Sequence, residues 1–418
     1  MTAHSPVKHL RLAYMMSRFP KITETFVLHE MIEMERLGHS VEVFPLQQEK
    51  AKVVQSDARQ YVERAHFTPA FSFAIMWACI LMLLKRPLRF ATTLGIALYA
   101  NLGSLRYFTG AIVFFPKSIY LAGQMQKAGI EHLHAHFASH PAFVAFVINR
   151  FSEIPYSFVA HGSDLHRDQH MLADKTESAA FVVAISRYNK KMIVDVCGEH
   201  CEEKVHVIHC GIDPSRFAPK GAAPDVGIQT GPLRILCVGT LHEVKGQTYL
   251  LEACEILRSQ SIDFRCTFLG DGPDRSSLES RVEQLDLETQ ISFLGSVTSD
   301  CVREHLLQTD VLVAPSVPSH DGRREGIPVV LMEAMACGVP CISSELSGIP
   351  ELVEDGESGF LTQPGDSEHI ASALRRFYEE PMLRSQMAQV GLRKIASEFC
   401  LEANVEMLAS RILETRNR

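Results

Sequence analysis

The sequence predicts an α/β protein of two doubly wound domains, each built on a parallel sheet. Three observations predict it. At 418 residues the chain exceeds what one core ordinarily organises, so two domains are expected. Short apolar runs, β-branched or aromatic in part, alternate with helical stretches, the pattern of parallel strands joined by crossover helices. The alternation breaks across 218–232, where Pro, Gly, Ala and Asp replace apolar periodicity, and then restarts.

The expected elements follow in order. Strands of the first half are Leu10–Met16, Val41–Leu46, His132–Phe137, Tyr156–His161, Phe181–Ile185 and Lys204–Cys210. Between them lie helical segments at Glu24–Leu37, in a long apolar block over 71–128, and at Ala142–Phe151. The second half has strands at Arg234–Val238, Phe264–Leu269, Ile291–Leu294, Val311–Ala314 and Cys341–Ser343, with helices near Gln247–Ser259, Arg275–Leu285, Pro328–Ala336 and Glu368–Tyr378. A helical tail closes the chain from Met382 to Ile412. The domains are therefore expected at 1–217 and 233–380, with 218–232 as linker and 381–418 as a tail packing back toward the first domain. Two such domains facing each other place a ligand cleft at the carboxyl ends of their strands.

Composition narrows the function classes. A hydrophobic share of 46% and a charged share of 22% describe an ordinary globular chain. A net charge of −8 argues against a nucleic-acid binder, which needs a basic face. The 11 cysteines have no regular spacing, and with no signal segment at the N-terminus a reducing cytoplasm is the expected location. The stretch 66–130 contains no acidic residue but carries Lys85, Arg86, Arg89, Arg106, Lys117 and Lys127. Its apolar run Phe71–Leu84 is short of the ~20 residues that cross a bilayer. Buried helices of a large domain explain it, and so does a basic edge resting on anionic lipid.

The segment with most chemistry reads EGIPVVLMEAMACGVPCISSELSGIPELV from Glu325. Pro328 suits the first turn of a helix, which needs no N–H there. The free N–H groups of that helix start, within Ile327–Val330, and its positive dipole end form a pyrophosphate site. Glu325 lies just before the helix and Glu333 in its second turn, so one carboxylate can address a sugar and the other a ribose. Gly338 ends the helix.

Glutamate, seven residues and glutamate, within EGIPVVLMEAMACGVP and continuing through GIPELVEDGESGFL, resembles the donor signature of the large retaining "group 1" glycosyltransferase family with the GT-B fold. SRFPKITETF from Ser17, HAHFASHPA from His134 and VIHCGIDPSRF from Val207 resemble its colanic-acid and exopolysaccharide branch. The resemblance covers nearly the whole chain, most strongly 233–361. It implies transfer of a hexose from a nucleotide-diphosphate sugar, with UDP-sugars ahead of GDP-mannose, to a hydroxyl of a lipid-linked oligosaccharide. It further implies a cytoplasmic protein, peripheral at the inner face of the membrane, and no metal cofactor.

Residue by residue, the resemblance assigns Lys245, in VGTLHEVKG, to the donor diphosphate, beside Gly239 and Thr240. It assigns Gly270, Asp271 and Gly272, in LGDGP, to the neighbourhood of the base, and Gly326, Ile327, Pro328, Val329 and Val330 to the phosphates. Glu325 addresses the sugar and Glu333 the ribose. His161, in HGSD, lines the cleft beside the transferred sugar, with Asp164 orienting its loop. Ser17, Arg18 and Glu24 belong to the acceptor side. One position departs from the family: Thr240 stands where an arginine is usual, which weakens the cationic grip on the diphosphate. Arg323 and Arg324 are the nearest candidates to compensate.

Other readings compete. A nucleotide-sugar epimerase on the same scaffold would need no acceptor, and a non-catalytic glycosyltransferase-like partner would tolerate Thr240. Two clusters invite a metal, His132/His134/His136/His140 and Cys197/Cys201/His206/His209. Short Cys/His patterns arise readily by chance, and no Asp-x-Asp pair accompanies them.

Overall fold

The structure, a computed structural model, describes residues 9–21, 24–49, 56–166, 168–217 and 231–416. Most of the expected linker, 218–230, lies outside the described residues. The chain divides into two compact units, one of Met1–Ile208 with Leu401–Arg418, the other of His209–Cys400.

The first unit holds strands β1 (Arg11–Met15), β2 (Ser40–Val43), β3 (His132–His136), β4 (Tyr156–Ala160), β5 (Phe181–Ala184) and β6 (Val205–Val207), all parallel, in the order β2-β1-β3-β4-β5-β6. Every residue of β3, β4 and β5 is buried, as a parallel sheet covered on both faces requires. Helix α1 (Thr25–Arg36) joins β1 to β2.

The apolar block resolves into three helices, α2 (Phe73–Lys85), α3 (Pro87–Tyr99) and α4 (Leu105–Lys127). Local chemistry sets their starts. Ser72 and Ser104 accept from the amides of Ile75 and Tyr107 as N-caps, and Pro87 opens α3. Lys117 departs from the expected basic surface. It is buried in α4, and its ammonium donates to the carbonyls of Leu46 and Thr68 at 2.6 and 2.7 Å. Burial pulls its pKa down to about 8. Helix α5 (His140–Ser152) follows β3, and α6 (Arg187–Cys197), capped by Ser186, follows β5.

The second unit holds β7 (Leu233–Val238), β8 (Phe264–Leu269), β9 (Ile291–Phe293), β10 (Val311–Ala314), β11 (Cys341–Ser344) and β12 (Gly359–Thr362), parallel in the order β9-β8-β7-β10-β11-β12. Strand β12 is an addition to the expected set. Its four residues, GFLT, are too few to show a period, and pairing with β11 makes them a strand. Helices α7 (Gln247–Ser259), α8 (Arg275–Gln284), α9 (Ser299–Leu306) and α10 (Val329–Ala336) connect the strands, and α11 (Ser367–Glu379) follows the last of them.

The tail is two helices. Helix α12 (Pro381–Glu398) lies in the second unit, where a Cβ on Gly391 would stand 3.2 Å from Met335. Helix α13 (Leu401–Arg416) belongs to the first unit, pairing Glu402 with Arg36 of α1 and Arg416 with Glu131.

Candidate active site

The expected site residues fall into two groups, one in each unit. In the second unit the strand order reverses between β7 and β10, and loops leaving such a switch point diverge to open a crevice at the carboxyl ends of the strands. The loop after β7 carries Gly239, Thr240 and Lys245, and the loop after β10 carries Glu325. The two loops are joined by a hydrogen bond from the Val317 amide to the Val244 carbonyl at 3.0 Å. Lys245 Nζ lies 2.8 Å from Glu325 Oε2, and each side chain is only about a quarter exposed or less, at 25% and 20%. A cation and a carboxylate, far apart in sequence, thus meet at the switch point.

The loop after β8 is pressed against the loop after β7. A Cβ on Gly270 would stand 1.9 Å from the Gly239 carbonyl oxygen, and one on Gly272 would stand 2.2 Å from that of Leu241. Gly270 also has φ +139°, so glycine is required there by both space and backbone. Between them, exposed Asp271 accepts from the Gly272 amide at 2.8 Å. Exposed Thr240 has its carbonyl held by the Gln247 side-chain amide at 3.0 Å.

Gly326 and Ile327 lead into α10. Pro328 is one position earlier than expected, as the N-cap, because its ψ of 124° is extended. No side chain caps this helix, so the first-turn amides at Val329 and Val330 present the partial positive charge that attracts anions. Glu333 is in the second turn, half-buried, and burial lifts its carboxyl to about 7. It is therefore poised between protonation states near neutrality. Arg323 is held by Asp321, with Nε donating to both carboxylate oxygens at 3.0 and 2.9 Å.

In the first unit the order reverses between β1 and β3. Ser17 and Arg18 follow β1. The Ser17 carbonyl accepts from the Gln47 amide at 3.0 Å, and Arg18 pairs with Glu49 at 3.2 Å. Glu24 pairs with Lys21 at 2.6 Å. His161 directly follows β4, its ring against Phe26 and Phe137 with centroids 4.8 and 4.7 Å apart. Burial holds its pKa well below the usual value, so the ring is neutral.

Asp164 is buried and accepts from the amides of Ala138, His161 and Gly162 at 2.7, 3.0 and 2.7 Å. Burial raises its pKa, against those amides. Its carboxylate therefore clamps the loops after β3 and β4 and positions His161.

Sequence reasoning missed Glu30 and Tyr14, which lie beside the β3 histidines. The Tyr14 hydroxyl donates to Glu30 Oε1 at 3.0 Å. On a helix, Glu30 carries no signal beyond an ordinary polar position. The cluster Cys197/Cys201/His206/His209 does not assemble among the described residues, where only Glu30, His134 and His136 bring three metal-ligating side chains together.

Residues 222–394 match the family described as "Glycosyl transferases group 1", and residues 23–216 match "Glycosyltransferase Family 4". Over 408 residues the chain is 30% identical to the amylovoran biosynthesis glycosyltransferase AmsK of Erwinia amylovora, across 93% of this chain and 96% of that protein. The chain belongs to the group 1 glycosyltransferases. This glycosyltransferase is also 39% identical over 216 residues to the putative colanic acid biosynthesis glycosyltransferase WcaL of Salmonella typhimurium, across 51% of this chain and 52% of that one. Its fold is GT-B, superposing on HepE of Anabaena in complex with UDP with a TM-score of 0.73 at 18% identity, over 97% of this chain and 100% of that one.

Proposed function

We propose that this glycosyltransferase moves a hexose, with retention of anomeric configuration, from a nucleotide-diphosphate sugar to a hydroxyl of a lipid-linked oligosaccharide in exopolysaccharide assembly. UDP-sugars are the first choice of donor and GDP-mannose the second. The observation that carries this reading is the Lys245–Glu325 pair at a strand switch point, one loop away from the uncapped start of α10. Departure of a nucleoside diphosphate builds negative charge, which a lysine and helix amides stabilise without a metal ion. Glu325 and neutral His161 orient the sugars, Glu333 takes the ribose hydroxyls, and the leaving phosphate helps receive the acceptor proton from the same face. AmsK and WcaL carry exopolysaccharide names, and HepE is known with UDP and with UDP-glucose, which supports the pathway class and the donor.

The acceptor's lipid places the work at the inner face of the cytoplasmic membrane. No helix among the described residues is long and apolar enough to cross a membrane. Trp77, Leu84, Leu88 and Leu105 are nonetheless 61%, 73%, 81% and 80% exposed on α2, α3 and the start of α4. The acid-free stretch supplies Lys85, Arg86, Arg89 and Arg106 nearby in sequence, the combination that suits an anionic interface.

Incubation with a panel of nucleotide sugars and membrane-extract acceptors, followed by NMR of the new linkage, tests transfer and stereochemistry together. Conversion of donor without acceptor would make the enzyme an epimerase, and an inverted linkage would remove retention. Co-sedimentation with anionic vesicles at low salt tests the membrane part, which fails if Trp77→Glu/Leu88→Glu protein binds as well as wild type.

A further inference from the structure

We propose that Glu30, His134 and His136 form a binding site for one divalent transition-metal ion of the zinc class, set behind His161 in the first unit. Alternation along β3 turns His134 and His136 to the same side of the sheet, where both are fully buried, at 0% exposure. Their Nε2 atoms lie 3.5 and 3.3 Å from Glu30 Oε1 and have no hydrogen-bond partner besides that carboxylate. The three ligand atoms lie within 4.8 Å of one another. Zinc bonds of about 2.0–2.1 Å at tetrahedral angles place neighbouring ligands about 3.4 Å apart, so the two Glu30 separations already have the spacing of a coordination sphere.

The hydrogen bonds around the site decide where the protons are. The Thr415 hydroxyl donates to the Ile412 carbonyl at 2.7 Å, so its oxygen is left to accept from His132 Nδ1 at 3.4 Å. His132 is then protonated on Nδ1, and its Nε2 accepts from the Ser157 hydroxyl at 2.7 Å. That hydroxyl has one proton, so its oxygen accepts from His134 Nδ1 at 2.7 Å. His134 Nε2 is left with a bare lone pair aimed at a carboxylate oxygen. Two electron pairs facing one another in a buried space call for a cation.

The same arrangement is the outer shell a metal site needs. Each histidine ligand is oriented through its other nitrogen, His134 by Ser157 and His136 by His161, whose Nε2 lies 3.2 Å from His136 Nδ1. Two imidazoles and a carboxylate suit zinc and its neighbours better than magnesium or calcium. The ion would join α1 to β3 and fix His136 against His161. It is distinct from the donor diphosphate, which the proposed mechanism holds without metal. Glu30, from a different element, supplies the ligand that the histidine run lacks, whereas His132 acts only as a link in the proton chain.

The full-length protein is stripped with chelator, reloaded with zinc, exchanged into metal-free buffer and assayed for bound metal by mass spectrometry. About one ion per chain is expected, with a melting temperature that rises on reloading. Glu30→Gln and His134→Gln should each lose at least about 90% of that ion, as expected when one of three ligands goes. Wild-type protein that retains less than about a tenth of an ion, judged against the affinities usual for such sites, overturns the proposal. So does full occupancy in both variants, which would put the ion elsewhere.

Discussion

Glu333→Gln separates charge from shape in the second unit. In the free enzyme, burial lifts this carboxyl from an ordinary 4.5 to about 7, a difference worth about 3 kcal/mol. The folded state therefore holds the proton more tightly than the unfolded chain between those two values. Stability falls as pH rises across that window, because the unfolded state ionises first, and the full penalty is present above about 7. Glutamine keeps the size and removes the titration. Wild type and variant should melt together near pH 4.5 and separate as pH rises, the variant becoming the more stable by up to roughly 6–12 °C for a unit of this size.

Nucleotide binding should move the opposite way, since a ribose diol donates to an ionised carboxylate. At pH 6 only about a tenth of Glu333 is ionised, against about nine tenths at pH 8. The ratio of variant to wild-type Kd for UDP should then grow by roughly tenfold over that range, and using the ratio cancels titration of the nucleotide itself. Differential scanning fluorimetry and calorimetry at matched pH values give both curves. A melting difference that stays flat from pH 5 to 8 refutes the buried-carboxyl argument. A flat Kd ratio refutes the ribose contact.

Lys245→Ala removes the cation beside Glu325 and should lower kcat/KM by about 10²–10³-fold, with Lys245→Arg recovering part of it in steady-state assays. Gly270→Ala forces a Cβ to within 1.9 Å of the Gly239 carbonyl oxygen at φ +139°, so a loss of at least about 2 kcal/mol in chemical unfolding is expected. Asp164→Ala leaves three loop amides without their acceptor and should cost about 2–4 kcal/mol. Asp164→Asn should recover part of that stability.

The two-sheet architecture, most strand positions and the two carboxylates around the start of α10 were legible in the sequence, because each is a local pattern. Alternation of short apolar runs with helical periods specifies parallel layers wherever it occurs. Strand β12 escaped because four residues carry no readable period, and the tail escaped as two helices because its break at Phe399–Cys400 has neither glycine nor proline to mark it. Lys117 read as surface charge because a lysine in an acid-free run looks solvated. Only the fold brings the Leu46 and Thr68 carbonyls to its ammonium.

The chain by itself determined which residue types were available for the chemistry: a lysine after the first strand of the second unit, two glutamates around a helix start, and a histidine run on one strand. Tertiary structure decided which of them meet. Lys245 reaches Glu325 across 80 positions of sequence because β7 and β10 are neighbours in the sheet. Glu30 reaches His134 and His136 because α1 lies beside β3. The environment of Glu333 is likewise a property of the packed unit, since burial and not sequence sets the proton affinity of a carboxyl.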